Sequence, residues 1–221
     1  MDEKKFNSMP RPELTHPYVA SQQAASVIMV RQALGGELEV YVQHRATTMD
    51  FAAGAVVFPG GRTDAQDAVF TFEDAVHPVL LEHAHGWQRT SLGSDNRDTA
   101  LTNSSMMLRT GLREVEEETG VGLPPHLLRP WGNLITPVGY PKRFDTFFFL
   151  ATPDDNVLPE NITTEAVHAD WHSIVSLLDD AEQGRIALMR PTKFLLLDIL
   201  EQKTIDDLLG RDPVVQPIRG I

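Results

Sequence analysis

Acidic side chains crowd into a short segment that begins at Arg113. If this segment is a helix with about 100° of rotation per residue, Glu114, Glu117 and Glu118 project from one arc of about 100°, whereas Glu116 faces elsewhere. Like charges at such spacings destabilise a helix by roughly a few tenths of a kcal/mol. Mg²⁺ prefers oxygen ligands and usually combines a few carboxylates with phosphate oxygens and water. The arc therefore fits a divalent-cation site, although a glutamate run taken alone is more often a solvated face.

Two predicted elements would position these acids. Residues 106–119 have the pattern of a helix, and Gly120 is the residue type favoured just past a helix end. Residues 55–58 form a short apolar run that stops at Pro59, Gly60 and Gly61, which predicts a buried strand followed by a turn.

The remaining pattern predicts a mixed α/β (α+β) domain. Further strands are predicted at 24–30, 38–43, 131–136, 144–151 and 166–171, with the first two forming a hairpin. Further helices are predicted at 174–183 and 192–202, with Thr192 as the N-cap of the second and one more turn at 205–209. Residues 68–100 would form a small inserted helical element and a flexible loop.

Composition limits the function classes. The chain has 221 residues, enough for one domain, and its net charge of −12 argues against binding of a nucleic-acid polymer but not of a small phosphorylated ligand. With no cysteine, zinc–thiolate sites and cysteine nucleophiles are excluded. We find no signal peptide or membrane span and expect a cytoplasmic protein. Residues 1–20 would be a flexible arm, 21–210 one domain and 211–221 a tail.

The acidic segment and the glycine turn together resemble the Nudix hydrolases, whose box reads G-x5-E-x7-R-E-U-x-E-E-x-G-U, with U aliphatic. The second half matches at every defined position from Arg113 to Val121, and the first half matches at Gly61. Asp67 stands where the family has a glutamate. Gly61 and Arg113 are 52 positions apart, 38 more than the 14 of the pattern, so residues within about 68–105 split the box.

A split box is similar to the peroxisomal coenzyme A diphosphatase branch and its bacterial relatives. Residues 51–61 and 136–146 and the later Arg190-Pro191-Thr192 also resemble that branch. The resemblance implies a mixed sheet sandwiched between helices, with a helical insertion inside the box. We expect the insertion to loop out beside the site, so that deleting residues 70–98 would alter substrate preference more than metal binding.

The resemblance also implies roles for individual residues. Glu114, Glu117, Glu118 and the Gly61 carbonyl would hold Mg²⁺ or Mn²⁺, and Arg113 would orient Glu114. Glu165 is the candidate general base or extra metal ligand. Asp67 would either lie near the metals or only fix its loop. The candidates for binding the substrate's phosphates are Arg45, Lys142 and Arg143, and those for stacking on a base are Phe51, Tyr140 and Trp87, for which core packing is the simpler interpretation.

The implied reaction is hydrolysis of a diphosphate bond in a nucleoside diphosphate conjugate. Coenzyme A or acyl-CoA is one substrate, and ADP-ribose, NADH or another dinucleotide is the alternative. A catalytically silent nucleotide-sensing module is a third hypothesis, which the presence of Glu114, Glu117 and Glu118 disfavours. Members of the family are often dimers, so a homodimer stays open. The pair His83 and His85 cannot share a helix face, which argues against a metal site there.

Overall fold

The computed structural model describes residues 18–48, 53–154 and 157–219. The strands in these residues are β1 (Gln22–Gln32), β2 (Leu38–Arg45), β3 (Ala55–Val57), β4 (Gly60–Arg62), β5 (Arg129–Ile135), β6 (Phe144–Ala151), β7 (Ala166–Ser173), β8 (Ala187–Leu188) and β9 (Pro217–Arg219). The α-helices are α1 (Ala65–Val69), α2 (His77–Gly86), α3 (Arg97–Thr119), α4 (Ile174–Glu182), α5 (Arg190–Leu200) and α6 (Ile205–Leu209), with 3₁₀ turns at Asp74–Val76 and Pro125–Leu127.

The strands form one mixed sheet around β1. The order along the sheet is β8-β3-β2-β1-β6-β5-β9, with β4 also paired to β1 and β7 also paired to β2. Strand β1 runs parallel to β6 and antiparallel to β2 and β4. Its central residues are buried on both faces, as expected for a strand whose two faces are both covered.

Helices cover both faces of the sheet. Alternate residues of β1 point to opposite sides, so Ile28 joins one apolar cluster with α4 and α5, whereas Val27 joins the other with α3. This sandwich of a mixed sheet between helices agrees with the predicted fold class. Among the described residues, none of the helices is both long enough and apolar enough to cross a membrane.

Helix α3 begins nine residues before the predicted position. Its N-cap is Asn96, whose side chain accepts a hydrogen bond from the Thr99 backbone N–H, and it ends at Gly120 in the left-handed conformation with φ of 71°. The helix is therefore long enough to reach from the segment that follows α2 to the glycine turn. Polar residues at its start had hidden this extension, because they lack the apolar periodicity that predicts a helix.

The segment between α1 and α3 packs into the core and does not loop out, contrary to the expectation, although its residue Ser91 does lie beside the site on the cleft wall. Trp87 and Leu92 are fully buried, and the Trp87 ring packs edge-on against Phe147 and Phe149 at centroid distances of 5.3 and 5.4 Å. The segment supplies part of the core under α3. Trp87 is therefore a core residue and not available to stack on a base.

Three short strands and one cap also differ from the sequence-based prediction. The strands β4, β8 and β9 were not predicted, and β9 lies within the predicted tail, parallel to β5. Strands of two or three residues carry too little pattern to be recognised. Helix α5 begins at Arg190 with Met189 as N-cap and Pro191 in its first turn, so Thr192 is a buried helical residue and not the cap.

Candidate active site

The end of α3 meets the glycine turn at the edge of the sheet. Gly60 has φ of 155° and lies so close to Ala25 that a Cβ would overlap its carbonyl oxygen. The Gly60 backbone N–H donates to Glu118 Oε2 at 2.9 Å. A Cβ on Gly61 would lie 2.5 Å from Glu114 Oε1. Gly60 thus allows β4 to lie close to β1, and Gly61 allows the Glu114 carboxylate to lie directly against the backbone of β4.

Arg113 is the hub of the site's ion pairs. Its Nε and Nη2 donate to the two carboxylate oxygens of Asp67 at 3.0 and 2.9 Å. Its Nη1 donates to Glu114 at 2.8 Å and to Glu117 at 2.9 Å, and Nη2 also donates to the carbonyl of Arg62 at 3.0 Å. One guanidinium therefore fixes α1, β4 and α3 relative to one another.

Asp67 supports the arginine and does not face a metal position. It is fully buried, and its oxygens accept bonds from Arg113, from Thr110 Oγ1 at 3.0 Å and from the Asp64 backbone at 2.9 Å. The last bond belongs to a capping box that starts α1. Of the two roles considered for Asp67, the structure therefore favours fixing the loop.

The pKa values of the buried acidic side chains shift in opposite directions, because hydrogen bonds oppose burial to different extents. Burial alone would raise the pKa of Asp67, but the bonds from Arg113, the Asp64 backbone and Thr110, together with the Arg113 charge, hold that pKa below its usual range. Burial raises the pKa of Glu114 against the effect of Arg113, and raises that of Glu118 to about 8 despite the bond from Gly60. The bond to Asp67 raises the pKa of Arg113, so the guanidinium stays charged.

The donor set fits a hard divalent cation, but it is not a preassembled cage. Carboxylates of Glu114 and Glu118 meet at a turn whose carbonyls are close by, and oxygen donors of this kind suit Mg²⁺ or Mn²⁺. Within the described ranges, however, no three acidic or histidine side chains are arranged to hold a metal ion. Glu117 turns toward Arg113 and leaves 56% of its side chain exposed, whereas Glu114 leaves 13%. Glu117 would have to rotate to join the other two.

Glu165 and Arg45 face each other across the same site. Glu165 lies in the loop before β7, with 51% of its side chain exposed, and accepts a bond from Arg45 Nη2 at 3.3 Å. Arg45 ends β2, and its Nε is buried without a hydrogen-bond partner. The candidate base and one candidate phosphate-binding residue are therefore already paired with each other.

An open cleft of about 1540 Å³ extends from these side chains. Its wall includes Lys142 and Tyr140, and also Arg190 at the start of α5. Arg143 also borders the cleft, but it is buried, with its Nε bonded to the carbonyls of Thr136 and Pro137 at 3.1 and 3.0 Å. Its Nη1 donates to the Val19 carbonyl. Arg143 therefore fastens a loop to the chain before β1, and its contact with a phosphate stays a prediction.

The other candidates divide between the core and the undescribed residues. His83 is buried, and its Nε2 lies 2.7 Å from the Leu128 carbonyl, so it is a core residue as expected. Phe51 lies outside the described residues.

A group not predicted from the sequence consists of three histidines, His44, His168 and His172, whose rings lie 5.6 to 6.3 Å apart on β2 and β7. Only the strand register, which the sequence does not reveal, brings these three together.

Known proteins resemble this chain in sequence and in fold. No family model matches the chain. A curated Caenorhabditis elegans protein, "Putative nudix hydrolase 7", is 28% identical over 191 residues, which is 83% of this chain and 62% of that protein. This chain thus spans less than two thirds of the relative. The NUDIX hydrolase of Alicyclobacillus acidocaldarius shares the fold with a TM-score of 0.69 and 23% identity, over 90% of this chain and 98% of that one.

A more distant structure has a bound nucleotide derivative. The NUDIX domain of Shewanella oneidensis NrtR, complexed with ADP ribose, has a TM-score of 0.51 and 14% identity, over 92% of this chain and 100% of that one. At such identities the two structures show the fold alone, which is that of the Nudix hydrolases. The chain is thus similar in sequence to a protein described as "Putative nudix hydrolase 7" and similar in fold to solved Nudix structures.

Proposed function

We propose that the protein is a divalent-metal-dependent diphosphatase that hydrolyses a nucleoside diphosphate conjugate. The observation that carries this proposal is the convergence of Glu114 and Glu118 on Gly60 and Gly61, at the edge of an open cleft. Burying two carboxylates against one turn is costly unless a cation compensates for them. Arg113 already compensates part of this charge, and Mg²⁺ or Mn²⁺ would compensate the rest.

Three side chains and one carbonyl would hold the metal. Glu114 and Glu118 are already in place, Glu117 would rotate toward them, and the Gly61 carbonyl would complete the set. A divalent cation held there would neutralise the diphosphate and would make a water molecule a stronger nucleophile. Arg113 keeps Glu114 in orientation through its bond at 2.8 Å.

Glu165 is the proposed general base. The attacking water forms a bond to phosphorus while the bridging P–O bond breaks, and the proton of the water goes to Glu165. Arg45 is paired with Glu165, and the substrate's phosphate would compete for the same guanidinium. Lys142 and Arg190 line the cleft wall, where a cation can contact phosphate oxygens.

The proposed substrate class is supported by the size of the cleft and by the resemblance of the split box to that of known hydrolases. Coenzyme A or acyl-CoA is proposed from the resemblance to the branch with a split box. ADP-ribose, NADH or another dinucleotide is the alternative, and the ADP ribose bound to the NrtR domain favours testing it. The cleft is large enough for either kind of conjugate.

The test is hydrolysis of CoA, acyl-CoA, ADP-ribose and NADH with Mg²⁺ or Mn²⁺, with products identified by mass. Glu118→Gln should lower kcat by at least about 100-fold, because it removes one of the two buried carboxylates at the glycine turn. The matched control is Glu116→Gln on the exposed side of α3, which should retain activity.

Two outcomes would contradict the proposal. Equal activity of Glu118→Gln and the wild type would show that the box acids do not act in hydrolysis. Binding of these nucleotides without turnover of any would favour the nucleotide-sensing module instead.

A further inference from the structure

A further buried carboxylate borders the cleft away from the acids of α3. Asp145, near the start of β6, is 6% exposed and lines the cleft. Its Oδ2 accepts a bond from Ser91 Oγ and its Oδ1 one from Asn133 Nδ2, both at 2.6 Å. Ser91 belongs to the segment between α2 and α3, so three separate parts of the chain meet at this carboxylate.

The charge of Asp145 is not balanced by a cation. Both of its partners are neutral donors, and none of the ion pairs among the described residues includes it. The nearest guanidinium in sequence, that of Arg143, is directed at backbone carbonyls. Buried carboxylates are usually paired or fully hydrogen-bonded, because transfer from water is costly.

Asp145 also keeps unused capacity to accept hydrogen bonds. An ionised carboxylate has about four acceptor positions, and this one receives a single bond at each oxygen. Because Asp145 borders the cleft, a donor on a bound molecule can reach it.

Strand register places Asp145 at a defined distance from the glycine turn. Gly61 pairs with Ala25 of β1, and Ala25 pairs with Phe147 of β6, two residues beyond Asp145. These paired residues share the face of the sheet that α3 covers. Two strand spacings and two residues along a strand place the Cα atoms of Gly61 and Asp145 about 12 Å apart. If the diphosphate of a substrate lies at the glycine turn, a substrate group attached to it would span the distance to Asp145.

We propose that Asp145 is a specificity-determining residue that accepts a hydrogen bond from an N–H or O–H donor of the substrate beyond the diphosphate. This inference rests on the proposed function. Such a donor is available in the nucleoside half, as a base amino group or ribose hydroxyl, and in the other half of a conjugate, as an amide or a hydroxyl. Asp145 would therefore act on substrate affinity and leave the chemical step to the acids on α3.

The test compares Asp145→Asn with Ser91→Ala. Asn keeps the shape of Asp145 but removes the charge, and the Ser91 hydroxyl can rotate to accept a bond from the new amide. Ser91→Ala removes one structural bond to Asp145 and leaves the carboxylate intact. Thermal unfolding of both variants checks that they fold. The readouts are KM and kcat for ADP-ribose and for CoA, and the Kd of ADP with Mg²⁺ by titration calorimetry.

We expect Asp145→Asn to raise KM at least about 10-fold and to change kcat less than about threefold, because a hydrogen bond to a charged group is lost. Ser91→Ala should change KM less than about twofold. A parallel rise in the Kd of ADP places the donor in the nucleoside half, and an unchanged Kd places it in the other half.

Other outcomes would overturn the inference. Unchanged KM and Kd in Asp145→Asn, or an equal loss in Ser91→Ala, would make Asp145 a purely structural tie. If the wild type hydrolyses none of CoA, acyl-CoA, ADP-ribose and NADH, the proposed function fails, and the measurement of ADP binding alone decides. In that case weaker ADP binding by Asp145→Asn supports the contact, whereas equal binding, or no binding of ADP by the wild type, overturns it.

Discussion

Arg113 makes more ion pairs in the site than any other described side chain. Its guanidinium bonds to Asp67, Glu114 and Glu117, so one positive charge is shared among three carboxylates. A lysine could not replace it, because a point charge cannot donate in two directions from a rigid plane. The carboxylate of Asp67 serves both the capping box of α1 and the arginine.

The core histidine His83 predicts how stability depends on pH. Burial lowers the pKa of His83 from 6.5 to about 4, so the folded protein keeps the ring neutral where the unfolded chain protonates it. The unfolded state therefore binds more protons below pH 6.5. The free energy of unfolding should fall as the pH falls from about 6.5 to about 4, by up to about 3 kcal/mol from this group.

Urea unfolding at pH 4.5, 5.5 and 7.5 measures this contribution of His83. His83→Gln removes the titration and keeps a donor for the Leu128 carbonyl, so its stability should depend less on pH than that of the wild type. The exposed His126 provides the control, and His126→Gln should behave like the wild type. Parallel curves for the wild type and His83→Gln would contradict the assignment.

At the scale of elements, the site exists because α3 ends against β4. Gly61 allows the approach, since any Cβ there would meet the carboxylate of Glu114 at 2.5 to 2.6 Å. That carboxylate is the end of a flexible side chain and can move aside. Gly61→Ala should therefore lower kcat at least about 10-fold while Tm changes by less than about 3 °C.

The control for this substitution is Gly122→Ala. A Cβ at Gly122 would meet no heavy atom within 4 Å, so activity and Tm should both stay near the wild-type values. Hydrolysis rates and thermal unfolding distinguish the two variants. Full activity in Gly61→Ala would mean that the position of Glu114 does not matter for the reaction.

At the scale of the whole molecule, the segment between α1 and α3 belongs to the core. Trp87 is fully buried against Phe147 and Phe149 of β6, the strand that also carries Asp145. Trp87→Ala should reduce the free energy of unfolding by about 3 to 5 kcal/mol, because it removes a large buried ring and leaves a cavity. Chemical denaturation checks this value.

The matched control is Val69→Ala directly before this segment, since Val69 ends α1, is 81% exposed and contributes little to the core. Its free energy of unfolding should stay within about 0.5 kcal/mol of the wild type. If Trp87→Ala were equally mild, the segment would be an appendage and not a part of the core. Deletion of residues 70–98 is accordingly expected to damage folding before it changes substrate preference.

The sequence alone determined the acidic arc, the glycine turn and the mixed α/β class. These features depend on local sequence. Residues three or four apart on a helix share a face, and a glycine marks a position where the backbone turns. Most long strands were predictable for the same reason: their apolar runs are bounded by turn residues.

Only the tertiary structure decided which charges meet. Arg143 and Lys142 are neighbours in sequence, yet Arg143 is buried among backbone carbonyls and Lys142 lies exposed on the cleft wall. Arg45 and Glu165 pair across 120 positions, and Ser91 and Asp145 across 54. Such contacts depend on strand register and on how helices pack over the sheet. Local residue spacing encodes neither the strand register nor the helix packing. Which residues join the site besides Gly61 and the segment 113–121 therefore follows from the fold.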